Sequence, residues 1–366
     1  GVQTCALPIW MNFTIPFISN IILNMILIWI TYHQCLKFFF LKINWVGLIL
    51  MEIYKLIDSE TLMRKGFTSE VMRSPELPKK WHIPKRNGGV RTIYHPSSKV
   101  KLIQYWLISN IFSNLPIHNS AYAFVNGRSI KSNALLHATA KNKYYVKVDL
   151  KDFFPSIKYS NFEYAFKLYR DRIEFSDVYD AELLQLIKSI CFISDESLPI
   201  GFPTSPIIAN FVAREFDEKL TLKLNSIDRL NAVYTRYADD IIISTNLKGA
   251  SVKILNAIKS TIKRIEPNFK INNDKIHICS ASGGSIIATG LKICHDFHVT
   301  LHRSMKDKIR LYISLLSKGR LKQEDYNKLS GYIAYAKSID PHFYTKLNRK
   351  YFQEIRGIEN SHNKVI

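Results

Sequence analysis

The chain has 366 residues, 47% hydrophobic and 22% charged, with 51 Lys and Arg against 30 Asp and Glu, a formal net charge of +21. This composition excludes a disordered chain. A positive excess this large points to a polyanionic partner such as nucleic acid, against the plainer reading of an ordinary basic protein. The five cysteines, Cys5, Cys35, Cys191, Cys279 and Cys294, form no CxxC pair, which argues against a disulfide framework and suits reduced thiols in the cytoplasm.

Residues 1 to 50 stand apart, with no Asp or Glu and two lysines, Lys37 and Lys42. The apolar run "FISNIILNMILIWI" is interrupted by Asn20 and Asn24, short of the roughly 20 unbroken residues that a transmembrane helix needs. Neither a basic start nor a small-residue cleavage site marks a signal peptide. The opening "GVQTCALPI" resembles a translated sequencing-adapter remnant, and the stretch after it reads like AT-rich DNA in frame. The expectation is a non-native translated segment, with no membrane association; a membrane anchor and a genuine soluble extension are the alternatives. Ordinary charge patterning resumes at Met51.

Beyond Met51, "GGVRTIYHP" (88 to 96) reads as a turn and a short strand, and "KVKLIQYWLISNIF" (99 to 112) has helical spacing. In "KYYVKVDL" (143 to 150), Val146 and Val148 alternate with Lys147 and Asp149, as in a strand. "DAELLQLIKSICF" (180 to 192) is helical, and "SPIIANFVAREFDEKLTLKL" (205 to 224) reads as one long helix opened by Pro206. "AVYTRYADDIIIS" (232 to 244) reads as strand, tight turn, strand, followed by an amphipathic helix over 249 to 266. "TGLKICHDFHVTLH" (289 to 302) reads as a hairpin, and the basic segments after it are helical. Strands and helices without regular βα alternation predict an α+β fold.

Asp149 ends one predicted strand, and Asp239 and Asp240 sit at the turn of the strand pair. If these elements are sheet neighbours, three carboxylates meet at one edge and repel one another unless divalent cations neutralise them. Mg²⁺ suits such oxygen ligands and shares its shell with substrate phosphates. Two ions can serve an in-line phosphoryl displacement. Taken alone, "DD" reads first as an exposed turn, since Asp is a common turn residue.

The ordered set "VDLKDFFPSI", "LPIGFPTSP" and "YADD" resembles the palm motifs of reverse transcriptases, and most closely those of the bacterial retron type. "NALLH" (133 to 137) resembles the N-A-x-x-H signature of that group, and "ATG" (288 to 290) stands where it usually has V-T-G. The resemblance covers about residues 60 to 350. It implies a right-hand polymerase, with fingers over 51–143, palm with a fingers insertion over 144–299, and a helical thumb over 300–366.

By this resemblance Asp149, Asp239 and Asp240 hold two Mg²⁺ ions, with Mn²⁺ as a substitute. Phe154 is the steric gate against a ribose 2′-hydroxyl, core packing being its alternative. Asp152 lies near the incoming triphosphate. Arg91 grips that triphosphate, and Lys85 and Arg86 are weaker candidates. Gly201 lets the backbone approach nucleotide and template. Lys275 serves as general acid toward pyrophosphate, or is simply a strand-edge lysine. Asn133, His137, Thr289 and Gly290 contact RNA. Ile200 stands where Gln is usual, which puts nucleotide handling in question.

Cys294, His295, His298 and His302, with His277 and Cys279, offer metal-binding groups whose spacing fits no standard zinc finger. Thumb residues such as Lys306, Lys308 and Arg310 would track a duplex backbone.

The function implied is RNA-directed DNA synthesis from dNTPs on a structured noncoding RNA that is both template and primer, giving an RNA–DNA hybrid. A role in phage defence with an accessory effector protein goes with it. A reverse transcriptase of another defence or diversity-generating class, and a polymerase-like module that binds RNA or an effector without synthesis, are the alternatives.

Overall fold

The computed structural model describes residues 77–85, 88–173, 180–267, 269–283 and 286–363. The expectations for residues 1 to 50, for Met51 and for Arg86 lie outside the described residues.

The first described element is a hairpin, β1 (Lys79–Pro84) against β2 (Val90–His95). Helix α1 (Ser98–Asn110) is capped by Ser97, whose hydroxyl accepts from the Val100 amide, and it buries Ile103, Trp106 and Leu107. A second capped helix, α2 (Ile130–Thr139), carries the "NALLH" stretch.

The larger sheet is built on β3 (Tyr144–Lys151), the centre of an antiparallel arrangement. β5 (Asp240–Thr245) lies on one side of it, with β4 (Val233–Tyr237) beyond. On the other side β7 (His277–Ser280) pairs with the start of β3, and β6 (Lys270–Ile271) with its end. Side chains alternate between faces. Val146, Val148 and Leu150 of β3 share one face with Ile241 and Ile243 of β5, all buried. That face lies against helix α8 (Ser251–Ile262). α7 (Arg214–Asn225) packs on α8 and on α6 (Ser205–Val212), α6 packs on α4 (Tyr159–Leu168), which follows the short α3 (Phe153–Ser156), and α5 (Asp180–Cys191) packs on α1. The single long helix expected over 205 to 224 is thus two helices, parted at Ala213.

The opposite face carries Tyr145, Lys147 and Asp149 facing Ser244, Ile242 and Asp240. Helix α2 covers its Tyr145 end, where the His137 and Tyr145 rings lie 6.1 Å apart. A second core joins α2 to a three-stranded sheet, β8 (Ile286–Ala288), β9 (Leu291–Ile293) and β10 (Val299–Leu301). It continues into the C-terminal helices α9 (Arg303–Ser317), α10 (Tyr326–Ile339), α11 (Pro341–Lys350) and α12 (Phe352–Asn363). Sheet and helices mix without βα alternation, as the α+β expectation requires.

Candidate active site

Register brings the distant carboxylates together. Asp149 pairs directly with Asp240 across β3 and β5, which sets their Cβ atoms about 4.5–5.5 Å apart on one face. Tyr237 pairs with Asp240, so Ala238 and Asp239 form the two-residue turn of the β4–β5 hairpin. Ala238 takes φ +56°, a left-handed conformation that such turns demand and that glycine usually fills. The Asp239 carbonyl accepts from the Leu150 amide at 2.9 Å, which fastens the turn to β3. Asp240, expected in the turn, is instead the first residue of β5.

Two lysines compensate this acidic edge. Lys275 Nζ donates to Asp149 Oδ1 at 2.8 Å, and Lys147 Nζ lies 3.2 Å from Asp240 Oδ2. Asp239 has neither partner. Burial, then the charge of Asp240 and, less, that of Asp149, push its carboxyl above the ordinary carboxylate range. Lys275 is held above the usual lysine range, first by its hydrogen bond to Asp149. Three carboxylates near one edge, one of them without a lysine in contact, offer hard oxygen donors of the kind a divalent cation takes.

The rings after Asp149 part company. Phe153 is 4% exposed and packs on Phe269 at 5.4 Å between ring centres. Phe154 is half-buried beside the exposed Phe124, at 6.2 Å. Asp152 is exposed and takes φ +48°, turning the chain from β3 into α3. Gly201 has φ +110°, and a Cβ there would sit 2.5 Å from the Tyr94 carbonyl oxygen and 2.7 Å from an Ile93 methyl. Beside it, the Tyr94 amide donates to the Ile200 carbonyl at 2.8 Å. The exposed Arg91 shares its strand face with Ile93. The Gly201 loop therefore docks on the strand that carries Arg91.

A sequence profile described as "Reverse transcriptase (RNA-dependent DNA polymerase)" matches residues 83–324. The chain is 78% identical over 315 residues to the retron Ec73 reverse transcriptase of Escherichia coli, covering 86% of this chain and all of that one. It is 32% identical over 310 residues to the retron Ec83 reverse transcriptase of Escherichia coli, covering 81% of this chain and 95% of that one. The chain belongs to the reverse transcriptase family, in its retron group. Among solved structures, apo telomerase from Candida tropicalis is similar at TM-score 0.46 and 13% identity, over 81% of this chain and 66% of that one. Membership makes the chain an RNA-directed DNA polymerase with the right-hand fold and a divalent-metal requirement, and it makes an RNA template its partner.

The structure corrects two expected RNA contacts in this reverse transcriptase. Asn133 and His137 have no exposed surface. His137 joins Ser244 Oγ at 2.7 Å and Thr235 Oγ1 at 2.8 Å, pinning α2 to β5 and β4. A buried side chain that holds a helix on a sheet cannot reach a ligand outside, so His137 is scaffold; Asn133 is equally enclosed, with no hydrogen-bond partner for its side-chain amide among the described residues. Thr289 and Gly290 form the β8–β9 turn, with φ +47° and +85°. Thr289 is half-buried, its hydroxyl donating to the Ile130 carbonyl at 3.4 Å, while Gly290 is exposed. Gly201 owes its residue type to the approach of β2, a contact within the protein.

Lys306, expected on the duplex, instead pairs with Asp340 Oδ2 at 2.8 Å. The 289 to 302 stretch forms the expected hairpin. Cys294, Asp296 and His298 bring one ligand-type atom each within 4.8 Å of one another, and His298 Nδ1 lies 2.6 Å from Asp296 Oδ1.

Sequence reading missed Lys147, Phe124 and Arg236. Lys147 had a signal, since two residues before Asp149 on a strand is the same face. Phe124 and Arg236 had none, because their neighbours come from other segments.

No helix among the described residues is long and apolar enough to cross a membrane.

Proposed function

We propose that this chain copies a structured noncoding RNA, which supplies both template and primer, into single-stranded DNA in the cytoplasm, as part of phage defence with an accessory effector. The observation that carries the reading is the Asp149–Asp240 register with Asp239 on the adjoining turn. Asp149 and Asp239 would hold Mg²⁺, or Mn²⁺ in its place, with Asp240 completing the cluster. The bound metal supplies charge neutralisation and activation of the attacking hydroxyl.

The chain's own groups do the rest. Arg91, a planar fork of donors, grips phosphate oxygens. The Asp152 backbone lies along the triphosphate. Phe154, with Phe124 beside it, blocks a ribose 2′-hydroxyl. Lys275 leaves Asp149 to neutralise or protonate the departing pyrophosphate, and Lys147 keeps the charge of Asp240 in check. The exposed Gly290 is the part of the "ATG" turn open to RNA. Expression from Met51 would supply the fingers, palm and thumb over 51–143, 144–299 and 300–366.

The test combines purified protein, RNA transcribed from the DNA just upstream of its gene, Mg²⁺ and labelled dNTPs. A DNA strand joined to that RNA is expected. Asp239→Asn should slow extension by on the order of 10³-fold or more, since a metal ligand carries several kcal/mol of transition-state stabilisation. No product at any salt concentration would favour a non-synthetic RNA-binding role. Cells carrying the Asp239→Asn gene should lose protection against phage, and unchanged protection would remove the defence assignment.

A further inference from the structure

Arg236 lies three residues before Asp239 and is the largest fully buried side chain among the described residues. It points to the face of the sheet opposite the carboxylates, because it pairs with Ile241 rather than Asp240. Its guanidinium spends every nitrogen. Nε and Nη2 donate to Asp217 at 2.7–3.2 Å, and Nη1 donates to Asn210 Oδ1 at 3.1 Å and to the Ala238 carbonyl at 3.3 Å. Asp217 also accepts from the Tyr234 hydroxyl at 2.5 Å, and Asn210 donates onward to the Ala123 carbonyl at 2.7 Å. The flat cation lies 5.6 Å from the centre of the Phe153 ring, which touches Phe154.

A buried ion pair is weak evidence for stability, because an apolar set of similar volume often serves as well or better. What an apolar set cannot replace is the geometry. Ala238 is a non-glycine residue in the left-handed region, a conformation that persists only where its surroundings hold it. Two successive carbonyls hold the turn. That of Asp239 is bound by the β3 backbone, and that of Ala238 by Arg236. The same guanidinium packs on the ring beside Phe154, and through Asn210 it reaches the carbonyl of Ala123, the residue before Phe124.

We infer that Arg236, oriented by Asp217, is a positioning residue that sets the Asp239 turn and the Phe154–Phe124 wall in one geometry, coupling metal binding to sugar selection. The inference rests on the proposed roles of Asp239 and Phe154.

The experiment compares wild type, Asp239→Asn, Arg236→Lys and the apolar variant Arg236→Met/Asp217→Leu/Tyr234→Phe, which leaves no charge or hydroxyl stranded in the cluster. Thermal unfolding reports the fold. Loss of the free-ion EPR signal reports Mn²⁺ affinity, and primer extension reports kcat, KM and the dNTP-to-rNTP ratio. The expected result is an apolar variant that unfolds at or above the wild-type temperature. Its Mn²⁺ affinity falls about ten-fold, kcat falls at least about ten-fold with KM little changed, and discrimination against rNTPs falls several-fold. A folded apolar variant with wild-type Mn²⁺ affinity and discrimination would overturn the inference, since a merely structural role predicts that outcome.

If the apolar variant does not fold, Arg236→Lys decides. Lysine keeps the charge for Asp217 but lacks the fork that spans Asp217, Asn210 and Ala238. Weakened Mn²⁺ binding in that folded protein supports the inference, and unchanged binding overturns it. An Asp239→Asn protein that still binds Mn²⁺ and extends primers would overturn the site assignment and this inference together. An inactive Asp239→Asn beside an unaffected, folded Arg236 variant overturns this inference alone.

Discussion

Phe153 and Phe154 are adjacent and chemically identical, yet the fold gives them opposite duties. Phe153 is sealed between Phe269 and Arg236, whereas Phe154 is half open to the site. Phe153→Ala should therefore cost about 3–5 kcal/mol of stability, as buried ring deletions do. Phe154→Ala should leave the melting temperature nearly unchanged and admit ribonucleotides in primer extension; unaltered discrimination would retire the gate. His137 presents a second contrast at this scale. A neutral imidazole flanked by the hydroxyls of Ser244 and Thr235 can donate at one nitrogen and accept at the other, and burial pushes its pKa from 6.5 down to about 3. The unfolded chain takes up this proton below about pH 6.5 while the folded one does not. The contribution is thus fully present above pH 6.5 and is lost as pH falls toward 3, by at most about 1.4 kcal/mol per pH unit. Denaturant unfolding across that range should show wild type losing stability faster than His137→Gln, and parallel curves would contradict the assignment. The sequence showed the histidine at the end of "NALLH" but could not show that nothing outside the protein reaches it.

Among the elements, the Gly201 loop best shows how local and non-local causes combine. "LPIGFPTSP" reads as a stiff loop opening a helix, and α6 does begin at Ser205. The reason for glycine, however, lies in β2, more than a hundred residues earlier, whose Tyr94 carbonyl and Ile93 side chain leave no room for a Cβ. Gly201→Ala should destabilise the fold by about 1–3 kcal/mol through the positive φ alone, with the clash added. It should also raise KM for dNTPs by loosening the strand that carries Arg91. Wild-type thermal unfolding and KM would refute this account. The turn at "YADD" was legible as a turn, whereas "ATG" was read only as a family signature and its place at the β8–β9 turn came from the fold. The backbone of both turns was less legible, since Ala238 and Thr289 take positive φ without being glycine, and only the strand registers on either side require it. The break at Ala213 was hidden because no proline or glycine marks it.

For the whole molecule, the positive charge predicted a polyanionic partner, and family membership makes RNA that partner. Some of that charge is spent internally, as at Lys306 with Asp340 and Lys275 with Asp149, so a count of lysines overstates the binding surface. A chain expressed from Met51 should bind its RNA and extend it at the rate of the full chain; a loss of activity would show that residues 1 to 50 belong to the enzyme. RNA affinity should fall linearly on a log–log plot against salt concentration, as counterion release demands. What the sequence determined by itself was local or ordinal: the strand alternation around Asp149, the strand–turn–strand around Asp239, the amphipathic helices, and the order of motifs that marks a reverse transcriptase. Those follow from side-chain periodicity and turn chemistry, which act over a few residues. Only the tertiary structure decided that Asp149 faces Asp240, that Lys147 and Lys275 attend them, that His137 is sealed in, and that Arg236 holds the turn from behind. Each of these is a matter of register or burial between segments far apart in the chain, and such neighbours exist only once the sheet has closed.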